Sequence, residues 1–299
     1  MYVVLGASGN TGRVVATILL DRGHKVRVVG RNAARLQPLT SKGAEAFPSD
    51  LTNPEALTRA FAGANAAYVL IPPDLASNDF GAFQDRVSDA IAAAVKNAGV
   101  KHVVSLSSIG ADKPSGTGPV VGLYNLEKKL NRIEGANVLH LRAGYFMENT
   151  LSQVGVIRAL GTAAGPLRPE LKVPMIATKD IGVAAAEALL RLDFSGKQTR
   201  ELQGQRDLDY TEVSRIIGKA IGKPDLGYIQ APEDEVRASL LQLGLSPSLA
   251  GLILEMADAL NSGHMKALEP RSARNTTPTS YESFVAEQFV PVYQQQAAA

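Results

Sequence analysis

A chain of 299 residues with 31 Lys and Arg against 29 Asp and Glu carries a formal net charge of +2, its two signs interspersed, so neither nucleic acid nor an anionic membrane is an expected partner. Cysteine is absent, which excludes disulfides, thiolate metal sites and a thiol nucleophile and fits a cytoplasmic protein. The length suggests about two domains and a sizeable core, and no charged-then-apolar leader and no apolar run of the roughly 18 residues a membrane span needs is found.

Tyr2 to Leu5 is a short apolar run rich in β-branched residues, and Arg13 to Leu20 keeps its apolar residues long enough for a helix. Gly6-Ala7-Ser8-Gly9-Asn10-Thr11-Gly12 therefore joins a strand to a helix. In such a turn Gly6 supplies the tight bend, Gly9 lets backbone approach a pyrophosphate, and Gly12 lets the helix lie against the strand. The free N–H groups from Ser8 through Thr11 and the positive end of the helix dipole would face the phosphates, which points to a dinucleotide.

Gly23 stops this helix, and Lys25 to Gly30 reads as a second strand ending at Arg31-Asn32. The second strand's tip lies by the adenosine ribose in a dinucleotide fold, where an acid suits a free 2′-hydroxyl and a cation suits a 2′-phosphate. Arg31 stands there without an acid, so NADP(H) is expected over NAD(H).

A helix over 33–42, a strand over 44–48, the exit Ser49-Asp50-Leu51 and a helix opening at Asn53-Pro54 continue the rhythm. Ala66 to Ile71 is a continuous apolar run, as in a strand buried on both faces, and Pro72-Pro73 ends it. From Asp79 a long helix spaces Phe80, Phe83, Val87, Ile91, Val95 and Ala98 by three or four before Gly99. His102 to Ser108 is a fifth strand, and 109–119 is a loop dense in Gly and Pro, readable as a mobile cover over a site or as a plain surface loop. A helix over 121–134 and a strand over 137–142 complete the alternation. It predicts an α/β doubly wound parallel sheet whose strand exits, at Gly6 to Gly12, Arg31, Asp50-Leu51, Ile71 to Pro73, Ser107-Ser108 and Ala143 to Asn149, ring one crevice.

Residues 1–150 are thus expected to form the dinucleotide-binding domain and 151–299 a smaller, mostly helical substrate-binding region, of which about 174–204 could return to the main sheet. Helices are expected at about 180–192, 210–222, 232–243 and 247–262, a strand at 200–204, and a frayed tail from Gln294 to Ala299.

With Gly6-xx-Gly9-xx-Gly12, Arg31, Leu106-Ser107-Ser108-Ile109-Gly110, Arg142-Ala143-Gly144-Tyr145-Phe146-Met147-Glu148-Asn149 and Ala177-Thr178-Lys179-Asp180-Ile181-Gly182 in place, the chain resembles the NmrA-like atypical short-chain dehydrogenases. The likeness runs nearly the whole length, down to Thr276-Thr277-Pro278-Thr279. It implies a Rossmann-type fold with Asp50 and Leu51 beside the adenine and with Tyr145 and Phe146 beside the nicotinamide. That family holds NADPH-dependent reductases of quinones, azo dyes and aromatic compounds as well as members that bind cofactor and regulate transcription without turning it over. The leading expectation is an NADPH-dependent reductase of a small apolar or aromatic acceptor, monomeric or homodimeric. The alternative is a non-catalytic NADP(H)-binding redox sensor.

Ser107 or Ser108, with Tyr124 and Lys128, reproduces the Ser and Tyr-x-x-x-Lys layout of short-chain dehydrogenases. Residues four apart share a helix face, so the Lys128 ammonium would lower the Tyr124 phenol's pKa, the phenol would pass a proton to the acceptor, and Ser107 would orient the same oxygen. Counting back from Arg142 instead places Tyr124 where atypical relatives often carry Lys or His, and a substrate-wall or surface Tyr is the competing reading. The four His residues, 24, 102, 140 and 264, lie far apart and without ligand-like neighbours, so no metal is expected. His140 and Arg142 alternate with Leu139 and Leu141 as on a half-buried strand, and Arg271 with Arg274 reads as a solvated basic patch. Leu240, Leu241, Leu243, Leu252, Ile253 and Met256 would wall an acceptor cavity or simply pack a core.

Overall fold

The computed structural model describes residues 1–295. β1 (Tyr2–Leu5) leads through the glycine turn into α1 (Asn10–Asp21), and β2 (Val26–Gly30) follows. The helix expected over 33–42 is shorter: a single 3-10 turn, Ala34–Leu36, runs into α2 (Gln37–Thr40), where Pro38 removes an N–H. After β3 (Glu45–Pro48), α3 (Pro54–Phe61) starts with the Asn53 side chain accepting from the Ala56 N–H and with Pro in its first turn. β4 (Ala66–Val69) precedes α4 (Phe80–Ala98), capped by Asp79 and closed by Gly99 in the left-handed region at φ 67°. β5 (His102–Ser108), α5 (Val120–Asn131) and β6 (Asn137–Ala143) end this half.

The second half is more broken. β7 (Tyr145–Phe146) and a 3-10 stretch, Met147–Ser152, give way to α6 (Gln153–Leu160), β8 (Ala163–Gly165), β9 (Val173–Ile176) and α7 (Thr178–Arg191). β10 (Lys197–Leu202), β11 (Asp207–Leu208), α8 (Tyr210–Ala220), β12 (Tyr228–Gln230), α9 (Glu233–Gln242) and α10 (Pro247–Asn261) come next. The last helical run joins α11 (Tyr281–Phe284), a π turn over Val285–Phe289 and α12 (Val290–Gln295). The tail expected to fray from Gln294 is helical to Gln295, and 296–299 lie outside the described residues.

Seven strands form one parallel sheet in the order β10-β6-β5-β4-β1-β2-β3. The order reverses between β1 and β4, so the crevice that a doubly wound sheet offers a dinucleotide opens above the end of β1. One sheet face packs Val3, Leu5, Val69 and Val103 against Phe61, Val87, Ile91 and Leu126 of α3, α4 and α5. The other packs Val4, Val28 and Leu139 against Val15 and Leu19 of α1 and Ile181 and Leu189 of α7. α1 and α7 lie close because Gly182 has no Cβ, which would stand 2.6 Å from the Cβ of Val14. A third cluster, including Met147, Ile157, Val213, Tyr281 and Phe289, holds the carboxyl-terminal elements together around the small sheet β11-β9-β7.

Candidate dinucleotide and acceptor site

The glycine turn bends at Gly6, φ 61°, and the Gly9 N–H donates back to the Gly6 carbonyl at 2.9 Å. A Cβ on Gly12 would stand 2.4 Å from the Gly6 oxygen, so Gly12 is required by the fold itself. Gly9 differs. It is exposed, its backbone is extended at φ −94°, and a Cβ there would meet only the Gly6 oxygen at 3.3 Å. A Cβ at 9 asks the Gly6 carbonyl to give by only a few tenths of an ångström, a far weaker constraint than the one on Gly12. Gly9 is also the N-cap residue of α1, which like α5 and α6 has no side-chain cap and no acid in its first turn, whereas α3, α4, α8 and α10 are capped by Asn53, Asp79, Asp209 and Ser246. The open amides of α1 are thus aimed at the space over Gly9. Among the described residues the Ser8 hydroxyl and the Asn10 amide have no partner. Thr11 does: it is 6% exposed, and its hydroxyl accepts from the buried Tyr68 phenol at 2.9 Å, which ties the side chain to β4.

At the tips of β2 and β3 a groove of about 580 Å³ is lined by Arg31, Ser49, Asp50, Asp74, Phe83 and Arg86 among others. Arg31 and Arg86 are exposed, and among the described residues neither guanidinium has an ion-pair partner. The Asp50 carboxylate accepts from the Thr52 N–H at 3.0 Å and its hydroxyl at 2.9 Å, so the two guanidiniums share the groove with the carboxylates of Asp50 and Asp74. The Leu51 side chain, 4% exposed, turns into the core and cannot line the groove. Arg86 escaped the sequence reading, although its place one turn after the core residue Phe83 puts it on the same edge of α4.

Ser107 at the end of β5 is 2% exposed and donates to the Glu127 carboxylate at 2.6 Å. Glu127, itself 4% exposed, receives a two-pronged contact from Arg142 at 2.9 and 2.7 Å, and Arg142 also donates to the Ala111 carbonyl at 3.3 Å. Tyr124 and Lys128 lie on the groove between α4 and α5, with Asp85 and Asp89, and the Lys128 ammonium sits over the Tyr124 ring, 5.1 Å from its centre. No hydrogen bond joins Ser107, Tyr124 and Lys128 among the described residues. The inward position four residues along from Leu123 is Glu127, and it takes the serine.

The 109–119 loop is clamped rather than free. Thr117 and Ala111 are fully buried, and Gly118, at φ 58°, lies so close to α10 that a Cβ would be 1.9 Å from the Leu252 oxygen. Of the apolar residues considered for a cavity wall, Leu252 and Ile253 pack on the sheet's core and Met256 on the carboxyl-terminal cluster, while Leu241 and Leu243 are 41% and 66% exposed. They do not form one wall. Arg271 donates to the Gly204 and Gln203 carbonyls and pairs with Asp207, a structural tie rather than a free basic patch.

Tyr145 is half-buried two residues beyond β6, and its strand β7 pairs with β9, Tyr145 opposite Met175. Its phenol oxygen accepts from the Tyr210 hydroxyl at 3.2 Å. Tyr210 is 5% exposed and stacks on Tyr228 with ring centres 4.6 Å apart, and Tyr228 donates to the Leu167 carbonyl at 3.0 Å. Phe146 packs on the sheet's α1–α7 face, Ile71 on the other, and Pro72 is half-buried at the exit of β4. Among the described residues no helix is long and apolar enough to cross a membrane, and no three His, Cys, Asp or Glu gather as metal ligands.

A parallel sheet that reverses its order beside β1, with an uncapped helix start behind a glycine cradle at that point, defines the doubly wound NAD(P)-binding class. The chain belongs to the NmrA-like family, whose model matches residues 2–285. It is 28% identical to the NAD(P)H azoreductase of Xenophilus azovorans over 260 residues, 86% of each chain. Its fold is shared by the triphenylmethane reductase of Citrobacter sp. complexed with NADP(H), at a TM-score of 0.81 and 19% identity over 97% of this chain and 100% of that one. The NADPH-dependent quinone oxidoreductase of Escherichia coli complexed with NADPH matches at a TM-score of 0.74 and 22% identity, with 97% and 100% covered. These named relatives support an NAD(P)H-dependent reductase.

Proposed function

We propose that this protein is an NADPH-dependent reductase that transfers hydride to a small apolar or aromatic acceptor: a quinone, an azo compound or a carbonyl. The observation that carries the reading is the Gly9 turn at the end of β1, open space bounded by the unpartnered amides of α1, at the point where the strand order reverses. Gly9 and the backbone N–H groups of the first turn of α1, with the Ser8 and Asn10 side chains, would hold the pyrophosphate. Arg31 and Arg86 face the adenosine 2′-phosphate, where a guanidinium makes charge-assisted contacts that a free hydroxyl would not repay. Ile71, Pro72 and Tyr145, at the tips of β4 and β6, would hold the nicotinamide end. The bound nicotinamide supplies the hydride; the chain binds it, fixes one ring face toward the acceptor and keeps water from the transfer.

The test is a calorimetric titration with NADPH and NADH, followed by oxidation of the bound cofactor against quinones, azo dyes and aldehydes. NADPH should bind at least tenfold more tightly than NADH, and Arg31→Asp should erase most of that difference. Equal affinities would end the 2′-phosphate assignment. Tight NADPH binding with no turnover of any acceptor would replace the reductase with a cofactor-sensing protein.

A further inference from the structure

We propose that Tyr145 is the proton donor to the reduced acceptor and that Tyr210 is the residue that positions it. The proposal deepens the reductase reading and rests on it. A dinucleotide whose pyrophosphate sits on α1 and whose adenosine lies over β2 and β3 must extend across the order reversal toward β4, β5 and β6. Tyr145 stands at that end, beyond β6, and the exits of β5 and β6 are stitched there by the Ile109 N–H to the Ala143 carbonyl at 3.0 Å.

The other hydroxyls at those tips are committed elsewhere. Ser107 donates to Glu127, and Ser108 donates to the Ile109 carbonyl at 2.9 Å. The Tyr145 oxygen accepts from Tyr210, and the Asn149 side chain also bonds it in the sense that favours the phenolate, as a donor does; its own hydrogen is left without an acceptor among the described residues. A hydroxyl that accepts one bond and keeps its hydrogen free is set to donate. Tyr210 explains itself only through this bond. A phenol 5% exposed costs stability unless its O–H is bonded, its one partner is Tyr145, and the stack on Tyr228 together with the Tyr228 bond to Leu167 fixes the ring.

The titratable groups facing Tyr145 are phenols: Tyr210 on α8, Tyr228 on β12 and Tyr281 on α11. Burial pushes the Tyr145 phenol up, so it enters the reaction protonated, and the bond from Tyr210 favours the phenolate it leaves behind. In the step, hydride adds two electrons and one hydrogen to the acceptor, the oxygen that gains the electron pair takes the proton from the Tyr145 Oη, and the O–H bond of Tyr145 breaks. Tyr210 steadies the resulting phenolate, and solvent restores its proton after product leaves. Cofactor, acceptor and one proton give oxidised cofactor and the reduced product.

The experiment compares the native protein with Tyr145→Phe and Tyr210→Phe on a carbonyl acceptor, with NADPH affinity measured separately by calorimetry. Tyr145→Phe should lower kcat by about a hundred- to ten-thousand-fold with NADPH affinity within about twofold, and the alkaline fall in kcat should disappear. Tyr210→Phe should lower kcat less and move that alkaline limb to higher pH. The ultraviolet phenolate titration of the cofactor complex, native minus Tyr145→Phe, should shift up with it. This second readout stands without turnover. Native rate in Tyr145→Phe, or an unmoved limb and titration in Tyr210→Phe, would overturn the proposal. Native protein that fails to bind NADPH would show that the reductase reading is at fault; native protein that binds it and reduces no acceptor would overturn the Tyr145 proposal while cofactor binding stands.

Discussion

The sheet from β1 to β6 and the carboxyl-terminal segments that cover its tips are fastened by different means. In the sheet, strands buried on both faces and helices with their own caps, Asn53 and Asp79, spread stability over many apolar contacts. Beyond β6, carboxylates that are buried or half-buried reach far along the chain. Glu148 accepts from the Thr178 N–H at 3.0 Å and its hydroxyl at 2.5 Å; Asp180 accepts from Thr279 at 3.0 and 2.7 Å; Glu201 accepts from the N–H groups of Leu268 and Glu269 at 2.8 and 2.9 Å. α9 buries no residue fully. A cover held at points loses more from one well-chosen substitution, and loses it locally, whereas a distributed core loses a little everywhere.

The largest effect should come where the two regions touch. Gly118→Ala places a Cβ within 1.9 Å of the Leu252 oxygen at a positive φ, so the 109–119 loop must leave α10. The cost is on the order of 5 kcal/mol, measured by urea unfolding with intrinsic Tyr fluorescence. A mild loss would mean that the cover moves as a body and that the loop does not anchor it. Arg142→Met comes next. It leaves Glu127 buried with only Ser107 and frees the Ala111 carbonyl, for about 3–5 kcal/mol. Recovery of most of that loss in the double variant Arg142→Met, Glu127→Leu would identify the stranded carboxylate as its cause.

His140, on β6 opposite Ser105 of β5, is 1% exposed; its ring bonds the Asn131 side chain at 2.9 Å and the Ser105 hydroxyl at 3.3 Å. Burial first, with Arg142 and Lys197 adding to it and Glu127 opposing, lowers its pKa to about 4 from the ordinary 6.5. The unfolded chain therefore binds the extra proton between those values, so stability is full above pH 6.5 and falls as pH drops toward 4. The sheet should lose roughly 3 kcal/mol over that window, seen as a falling unfolding midpoint that His140→Asn flattens. An unchanged slope in that variant would mean that His140 is already protonated in the fold.

The same contrast explains what the sequence could disclose. The sheet half was legible because its determinants are local: apolar runs for strands, spacing by three or four in α4, Asn53 and Asp79 ahead of their helices. In the second half β7, β8, β9, β11 and β12 are two to four residues long, too short for a period, and the carboxylates that fix them act over separations of 30 to 99 residues. Arg31 follows the end of β2 and the glycines join β1 to α1, while Thr11 and Leu51 turn inward onto Tyr68 and the core. Ser107 was singled out without its partner, since nothing in the spacing distinguishes Glu127 from Lys128 as the inward residue; only the packed face of α5 does.

The smallest expected effect on stability separates the two roles that glycine plays in the opening turn. Gly12 is held by contact with the Gly6 carbonyl, so any side chain there disturbs the sheet. At Gly9 the backbone is one that any residue adopts, and the single neighbour, 3.3 Å away, can give by a few tenths of an ångström. Alanine loses a little as an N-cap residue and gains a little from a less flexible unfolded chain, so Gly9→Ala should change unfolding free energy by no more than about 0.5 kcal/mol. The same methyl group fills the cradle where the pyrophosphate rests, and NADPH affinity should fall at least tenfold, about 1.4 kcal/mol. Unfolding and calorimetry on one sample separate the two quantities. If affinity holds while the fold is intact, the phosphates lie elsewhere along α1, and the reason for glycine at 9 must be sought in the chain rather than in its ligand.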